Sequence, residues 1–318
     1  MPELPEVETI RRQLEKLIVG RTISSIEVLN PGSFRADADS LIGKTVAAVG
    51  RKGKVLIITS SRGRAQRGRG DLDGYGPDNL YIHLKMSGRL EFRAKGQGLK
   101  AKGETPKHLR VSFNFDNGDR LLFHDQRKFG WITDDPTVLP RGTDVLDPQL
   151  TSEILAEILS SSSRPIKQIL LDQSKIAGIG NIYASEILWE AGISPYKSLR
   201  ATAGSVVISS GLPRRPRPTV GAPRNDKLSI KLLSAIRLVL NEAIDSGGST
   251  MDDKLYRHVS GQTGDYWSRR RIYGRAGQPC RRPACHLPAG RQEKSGSVIQ
   301  KTVIGHRSTY FCPSCQSS

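Results

Sequence analysis

The sequence predicts a multidomain α+β protein. An N-terminal β-sandwich or flattened barrel carries an N-terminal helix, a helical domain follows, and a short β-hairpin bounded by cysteines ends the chain. Three observations predict this. Residues 6–18 have helical spacing and are followed, up to residue 133, by a series of short period-two segments separated by turn residues. Helical spacing returns between residues 152 and 245. All four cysteines fall between Cys280 and Cys315.

In the first helix Val7, Ile10, Leu14, Leu17 and Ile18 share one face, and Gly20 stops it. Strands are expected at Thr22–Leu29, Thr45–Val49, Val55–Thr59, Leu80–Met86, Leu90–Arg93, Leu109–Phe115, Arg120–His124 and Trp131–Thr133. Asn117-Gly118 is a hairpin signal between two of them. So many short strands pack as two layers with the helix laid on them. The polar, proline-punctuated stretch from Asp134-Asp135-Pro136 to Pro148 marks the boundary. Helices are then expected at Ser152–Leu159, at a segment capped by Ser163 with Pro165 in its first turn and Ile166, Ile169 and Leu170 inward, and after Gly178-Ile179-Gly180 with Ile182, Ala184, Ile187 and Leu188 as apolar positions. A fourth runs from about Asp226 to Asp245 and ends at Gly247-Gly248. Ser61–Asp78 and Ala203–Arg224 are rich in Gly, Pro and Arg and read as inserted, disordered surface loops.

The 318 residues suffice for two domains, and a hydrophobic content of 36% supports real cores with much surface and loop. A net charge of +18 calls for a polyanionic partner. A membrane surface is the competing polyanion, but no run approaches the roughly 18 apolar residues of a spanning helix, and no basic amphipathic anchor is present. The acidic N-terminus lacks an apolar signal core, so an intracellular protein is expected. In a reducing compartment the clustered cysteines favour metal over disulfides.

The opening octapeptide, Met1-Pro2-Glu3-Leu4-Pro5-Glu6-Val7-Glu8, carries the first candidate chemistry. Met1 precedes a small residue, so its removal is expected to expose Pro2 as a secondary amine. An α-amino group titrates at about 7.7–8.0, against about 10.4 for lysine. A sizeable fraction is therefore unprotonated and nucleophilic at neutral pH. Such an amine attacks an aldehyde-like carbon to give an iminium, and Glu3 and Glu6 lie within a turn to move protons. The same residues also read as a plain helix start, with acids at the positive end of the dipole. On this stretch alone that reading leads; the rest of the chain reverses the order.

Three features point to DNA. Gly178-Ile179-Gly180-Asn181 is a tight turn into a helix whose N–H groups, with the Asn181 amide, suit a phosphate. Cys280-x4-Cys285 and, after twenty-six residues, Cys312-x2-Cys315 can close one tetrahedral zinc site that would fold the tail and aim Arg307. The competing reading is four free thiols. Arg127-Lys128-Phe129 between two strands, with His83-Leu84-Lys85-Met86 in an earlier one, offers an Arg, an aromatic and a Met to fill a hole in a base stack.

Together these pieces resemble the bacterial-type formamidopyrimidine-DNA glycosylase family, along nearly the whole chain apart from the two insertions. The PELPEVE start is its most specific part. The resemblance implies excision of oxidised purines such as 8-oxoguanine and formamidopyrimidines, followed by cleavage of the abasic strand. Pro2 matches the Schiff-base nucleophile, Glu3 the general acid/base that opens the deoxyribose ring, and Lys54 the lysine that grips phosphates at the lesion; these form the catalytic set. Glu6 matches a residue supporting the lesion site. His83, Asn181 and Arg307 match further phosphate contacts. Met86, Arg127 and Phe129 match the triad that fills the gap, with Arg127 reading the orphaned cytosine. Residues 151–192 match the helix–two-turns–helix motif, and Cys280, Cys285, Cys312 and Cys315 the ligands of one structural zinc, with no catalytic cofactor.

The implied layout is a catalytic β-sandwich domain at 1–135, a linker at 136–150, a helix–two-turns–helix domain at 151–265 and a zinc-finger hairpin at 270–318. The expected partner is damaged double-stranded DNA, met by a monomer in the cytoplasm or nucleoid. The chain departs from the family pattern at Lys85, where Gly is usual, and at Gln126-Arg127-Lys128, where Pro-Arg-Arg is usual. Its first cysteine pair has four intervening residues instead of two, and the segment after Gly247-Gly248-Ser249-Thr250, which usually caps the extruded base, has no secure match. Two alternatives stand beside this reading. One is an endonuclease VIII-like glycosylase for oxidised pyrimidines, against which Leu4 and the Met86/Arg127/Phe129 set argue. The other is a non-catalytic nucleic-acid-binding protein.

Overall fold

A computed structural model describes residues 2–61, 79–97, 107–199, 223–252, 255–285 and 298–316. Residues 62–78 and 203–222 of the expected insertions lie outside them; Ser61 closes a strand, and Pro223 and Arg224 begin a helix. The chain divides into two compact units, Met1–Pro140 with Leu240–Arg269, and Arg141–Val239 with Arg270–Ser318.

The first unit opens with α1 (Leu4–Ile18), which Glu3 caps and Pro5 starts in its first turn. Leu4, Val7, Ile10, Leu14 and Ile18 are buried on one stripe, so amphipathicity supplies the driving force the short helix lacks by itself. Gly20, at φ +83°, ends it. Among the described residues eight strands follow: β1 (Ile23–Val28), β2 (Thr45–Lys52), β3 (Val55–Ser61), β4 (Asn79–His83), β5 (Gly88–Arg93), β6 (Leu109–Phe115), β7 (Arg120–Asp125) and β8 (Trp131–Thr133). They form two four-stranded sheets in the orders β1-β6-β7-β5 and β2-β3-β4-β8. Their inward residues, among them Leu56, Ile82, Val111, Phe113, Phe123 and Ile132, meet the stripe of α1 in one core. The strand expected at 80–86 ends at His83, because Lys85–Ser87 form a turn that passes the chain to β5 in the other sheet.

The second unit contains β9 (Thr143–Asp144), α2 (Ser152–Ser160), α3 (Ile166–Leu171), β10 (Ile176–Ala177), α4 (Asn181–Glu190), most of α5 (Pro223–Asp245), and the hairpin β11 (Gln300–Ile304) and β12 (Arg307–Phe311). Thr151 caps α2 by accepting the Ile154 N–H. Ser163 does not cap α3: Pro165 itself is the N-cap, its extended ψ of 138° turning the chain into the helix. Helix α4 is buried on every side from Ile182 to Trp189, so its sequence shows little amphipathic contrast.

One boundary differs from the expected layout. Residues 240–269 cluster with the sandwich instead of the helical unit. The cause is apolar burial: Tyr256 and Val259 lie in the sandwich core. Val259 also donates to Gln13 Oε1 at 3.0 Å and accepts from the Phe92 N–H at 3.0 Å.

In the second unit a buried carboxylate fixes the start of the tail. Glu186 on α4 accepts the N–H groups of Arg271, Ile272 and Tyr273 at 2.8, 2.9 and 2.8 Å. Glu186→Ala would strip three backbone donors of their acceptor, and is expected to cost at least about 2 kcal/mol. Glu186→Gln, which keeps one accepting oxygen, should lose less. Urea unfolding midpoints of the two variants check this order.

Candidate active site and nucleic-acid interface

The first cluster forms at the N-terminus of α1. Pro2, Glu3 and Glu6 are all buried, Glu3 to 2% exposure and Glu6 to 1%. Carboxylates are rarely so buried unless bonded, and Glu6 is bonded on both oxygens. Its Oε2 accepts the Glu3 N–H at 2.7 Å, and its Oε1 accepts the Ser249 N–H at 2.6 Å. The reciprocal contact from the Glu6 N–H to the Glu3 side chain completes a capping box. Gly248 permits this approach: its φ is +79°, and a Cβ there would stand 2.9 Å from Glu6 Oε1. The Tyr256 hydroxyl donates to Gly247 O at 2.9 Å, and burial, then the Glu6 charge, pushes that phenol well above its ordinary range. Gly248, Ser249 and Tyr256 therefore pack against the acidic turn.

The second cluster surrounds His83. Lys54 sits in the β2–β3 turn, where Val55 pairs with His83 across β3 and β4. Arg51 shapes that turn by donating to Gly53 O at 2.8 Å, and it is held by Glu8 Oε2 at 3.1 Å. Burial raises the Glu8 carboxyl, but hydrogen bonds from Arg11, Arg12 and Arg51 outweigh it and leave the carboxyl below its usual range. His83 is pushed down to about 3 by burial and then by the charges of Lys85 and Lys54. It is neutral at pH 7. Its Nδ1 accepts the Lys85 N–H at 2.9 Å, so the ring proton belongs on Nε2 and makes it a donor. Lys85 has φ +51°, the left-handed conformation that glycine adopts without strain.

The third cluster is the exposed triad. Met86 and Phe129 are 41% and 51% exposed. Arg127 lies between them, with Nη1 3.1 Å from Met86 Sδ and its guanidinium 4.7 Å from the Phe129 ring centre. Asp125, fully buried, organises the loop beneath. Its carboxylate accepts the Ser87 hydroxyl, the Arg127 N–H at 3.1 Å and the Gly130 N–H at 2.7 Å. Ser87 Oγ also accepts the Arg127 N–H at 3.0 Å, joining the two triad-bearing turns.

In the second unit, α4 begins at Gly180 without a side-chain cap, as expected of a helix end suited to an anion. Gln173 braces the turn before it, accepting from Gly178 N–H at 2.9 Å and donating to Ile179 O at 2.9 Å. The Asn181 amide donates to Ser308 O at 3.0 Å, which brings it beside Arg307, exposed at the turn of the β11–β12 hairpin. Lys167, wholly buried, donates to Ser308 O at 2.9 Å and Thr309 Oγ1 at 2.8 Å, holding the same hairpin.

The four cysteine sulfurs lie within 4.8 Å of one another, with Cys280 to Cys315 at 3.9 Å and Cys285 to Cys312 at 3.7 Å. A tetrahedron with Zn–S near 2.3 Å has edges of about 3.8 Å, so the cluster fits one structural zinc. The wider first pair is accommodated by a 3-10 turn, Pro283–Cys285. The Trp189 indole donates to Cys280 Sγ at 3.2 Å, a supporting contact to a ligand.

The sequence reading missed Asp125, Ser87, Glu8, Arg51 and Gln173. Each acts through hydrogen bonds to backbone or to another side chain, and only Glu8, the last residue of PELPEVE, falls in a quoted motif. A further available signal was an Asp immediately before Gln126-Arg127-Lys128-Phe129.

Two outcomes follow from this geometry. His83 lies below the unfolded value of about 6.5. The unfolded chain thus protonates first, and the stability His83 contributes, intact above that pH, is lost as pH falls toward about 3. Its ring resonances should stay flat from pH 8 to pH 5, and a shift by pH 6 would refute the neutral assignment. Asp125→Ala should free residues 126–130, lowering their backbone order parameters from about 0.85 toward about 0.6 while the β-sheets keep theirs.

Residues 1–132 match a family model described as the formamidopyrimidine-DNA glycosylase N-terminal domain, residues 141–204 the corresponding H2TH domain, and residues 296–317 a zinc finger found in FPG and IleRS. The chain is 36% identical to a formamidopyrimidine-DNA glycosylase of Chloroflexus aurantiacus, over 99% of this chain and 98% of that one. It is 33% identical to the protein of the same name from Corynebacterium aurimucosum, over 100% and 96%. The crystal structure of MutM (Fpg) from Thermus thermophilus superposes with a TM-score of 0.72 at 31% identity, covering 100% and 99% of the two chains. Lactococcus lactis Fpg in complex with abasic-site DNA superposes with a TM-score of 0.72 at 30% identity, covering both chains fully. With matched domains in the same order and relatives aligned from end to end, the chain belongs to the formamidopyrimidine-DNA glycosylase family.

Proposed function

We propose that this protein excises oxidised purines, such as 8-oxoguanine and formamidopyrimidines, from duplex DNA and then nicks the abasic strand. One observation supports the reading above the others: Glu6 uses both carboxylate oxygens to fix the turn that carries Pro2 and Glu3. A chain of net charge +18 thus keeps a rigid, acidic, proline-bearing turn. The complex of the Lactococcus lactis relative with abasic-site DNA supports DNA as the partner.

A stacked base shields its sugar, so the nucleotide is extruded at a cost of a few kcal/mol. Lys54, neutral His83, Asn181 and Arg307 grip phosphates and offset that cost; Met86, Arg127 and Phe129 fill the gap, with Arg127 facing the orphaned base. Removal of Met1 frees the Pro2 amine. Its lone pair attacks C1′ and the glycosidic bond breaks, the electron pair leaving with the base. Glu3 protonates the ring oxygen as the sugar opens, and nitrogen and C1′ form an iminium. That positive centre acidifies the C2′ protons. Loss of one expels the 3′ phosphate, and a second elimination expels the 5′ phosphate; water then hydrolyses the iminium and returns the amine. The zinc is structural and supports the hairpin bearing Arg307. The reading takes the protein to act as a monomer in the cytoplasm or nucleoid; no described helix is long and apolar enough to cross a membrane.

Borohydride reduces the iminium to a stable amine, so a covalent protein–DNA adduct is expected on an 8-oxoguanine:C duplex. Pro2→Gly should weaken trapping strongly, and Glu3→Gln should abolish base release. A protein with an uncleaved N-terminal tag should be inactive, and normal excision by it would overturn the Pro2 assignment. A lesion panel dominated by oxidised pyrimidines would move the chain to the endonuclease VIII-like reading.

A further inference from the structure

The end of α4 meets the cysteine cluster through one tryptophan and one arginine. Trp189, in the last turn of α4, is buried, and its indole N–H donates to Cys280 Sγ at 3.2 Å. Arg282 lies in the widened Cys280-x4-Cys285 spacing. Its guanidinium stands 4.8 Å from the centre of the Trp189 ring. It also donates to the carbonyls of Trp189 and Glu190, the latter at 3.0 Å. Those carbonyls end α4, where a helix leaves acceptors without intrahelical donors and favours a cation. Gly192, at φ +59°, keeps the contact close: a Cβ there would stand 3.2 Å from Cys315 O and 3.4 Å from Arg282 Nη1. The backbone of Arg282 has a second task. Its carbonyl accepts the Cys285 N–H at 2.9 Å, closing the 3-10 turn Pro283–Cys285. One residue of the widened spacing therefore places Cys285 through its carbonyl and covers Trp189 through its side chain.

Four thiolates around one zinc ion make a net dianion, and a buried charge is costly unless it is compensated. Cys280 is fully buried, and Arg275, Arg281 and Arg282 come from the chain on either side of it. Arg275 and Arg281 donate to Pro279 O and Arg270 O, each at 3.1 Å. None of the three has a carboxylate at ion-pair distance among the described residues. An N–H bond to a thiolate draws electron density from the sulfur and lowers its nucleophilicity. A cation over the indole face draws density from the ring in turn, which makes the N–H a stronger donor. Arg282 thus reaches Cys280 through Trp189.

We propose that Trp189 and Arg282 are positioning residues of the metal site: Arg282 orients and polarises the Trp189 indole, and the indole N–H holds Cys280 as a bonded, unreactive thiolate that keeps zinc in the finger. The widened first spacing brings Arg282 to this place. The role needs a metal in the cysteine cluster and is independent of the base-excision reading, so failure of either leaves the other standing.

The test uses the full-length zinc-loaded protein with Trp189→Phe, with Arg282→Met, and with both. Zinc transfer to an excess of the chromogenic chelator pyridylazoresorcinol is followed by absorbance, and alkylation by iodoacetamide is mapped cysteine by cysteine. Trp189→Phe keeps a ring and loses the N–H. It should release zinc about tenfold faster, the low end of what loss of a contact to a metal ligand costs, with Cys280 alkylated ahead of the other three cysteines. Arg282→Met should act in the same direction, and Arg282→Lys should recover part of the loss. The double variant should be no faster than Trp189→Phe, because the arginine acts through the indole. In the cobalt-substituted protein, Trp189→Phe should move the sulfur-to-cobalt charge-transfer band to longer wavelength, which looser packing alone does not do. Unchanged release with an unmoved band would overturn the proposal. Additive effects of the two substitutions would do the same. So would equal acceleration of alkylation at all four cysteines with a lowered unfolding midpoint, since Trp189 would then serve packing only. If Trp189→Phe does not fold, Arg282→Met carries the test: its band should shift toward longer wavelength with the indole still present, and an unmoved band there overturns the proposal.

Discussion

The two hydrogen bonds accepted by Glu6 constrain everything built on the N-terminus. A chain terminus is ordinarily the least ordered part of a domain. Here one carboxylate ties the first turn of α1 to the backbone of Ser249, more than two hundred residues away in sequence. Because Glu6 is buried and satisfied on both oxygens, displacement of the turn would leave a desolvated carboxylate unpaired. The apolar stripe of α1 fixes the helix against the sheets, and the Glu6 hydrogen bonds fix its end. Together they give Pro2 and Glu3 a defined place.

The same logic recurs at the other candidate sites. Each of these groups is held by a buried or half-buried polar group that is itself hydrogen-bonded. Asp125 holds the backbone of the Arg127–Phe129 loop, Glu8 and Arg51 hold the turn of Lys54, and Gln173 holds the turn before Asn181. Exposed Met86 and Phe129 can therefore remain apolar and solvent-facing without collapsing into the core. The loop beneath them is pinned by hydrogen bonds, which burial of the two side chains would break. Rigidity of this kind sets the geometry before a ligand arrives, which lowers the ordering cost of binding.

In the second unit, zinc and buried charge divide the work. Among the described residues, the cysteine cluster closes a tail in which Ile272, Ile299 and Tyr310 pack with Trp189 of α4 and the sulfurs. Lys167 and Glu186 then lock that tail to α3 and α4 through backbone acceptors and donors. Arg307 inherits its position from both. Lys167 and Glu186 are costly to bury, and each is offset by three hydrogen bonds.

By itself the sequence determined most of the elements and the candidate residues for the chemistry. Period-two runs located the strands because side chains alternate across a pleated sheet, and the cysteine spacing located the metal because ligands must converge. Pro2, Glu3, Lys54, Asn181 and Arg307 were legible as candidates because motif and residue type are local properties. Tertiary structure alone decided what supports them. Ser163 yielded its capping place to Pro165, and residues 240–269 joined the sandwich instead of the helical unit, since Tyr256 and Val259 found apolar burial there. Asp125 and Gln173 carry no periodic or spaced signal. Their roles depend on which backbone groups folding leaves unpaired beside them, and that is settled only when distant segments pack.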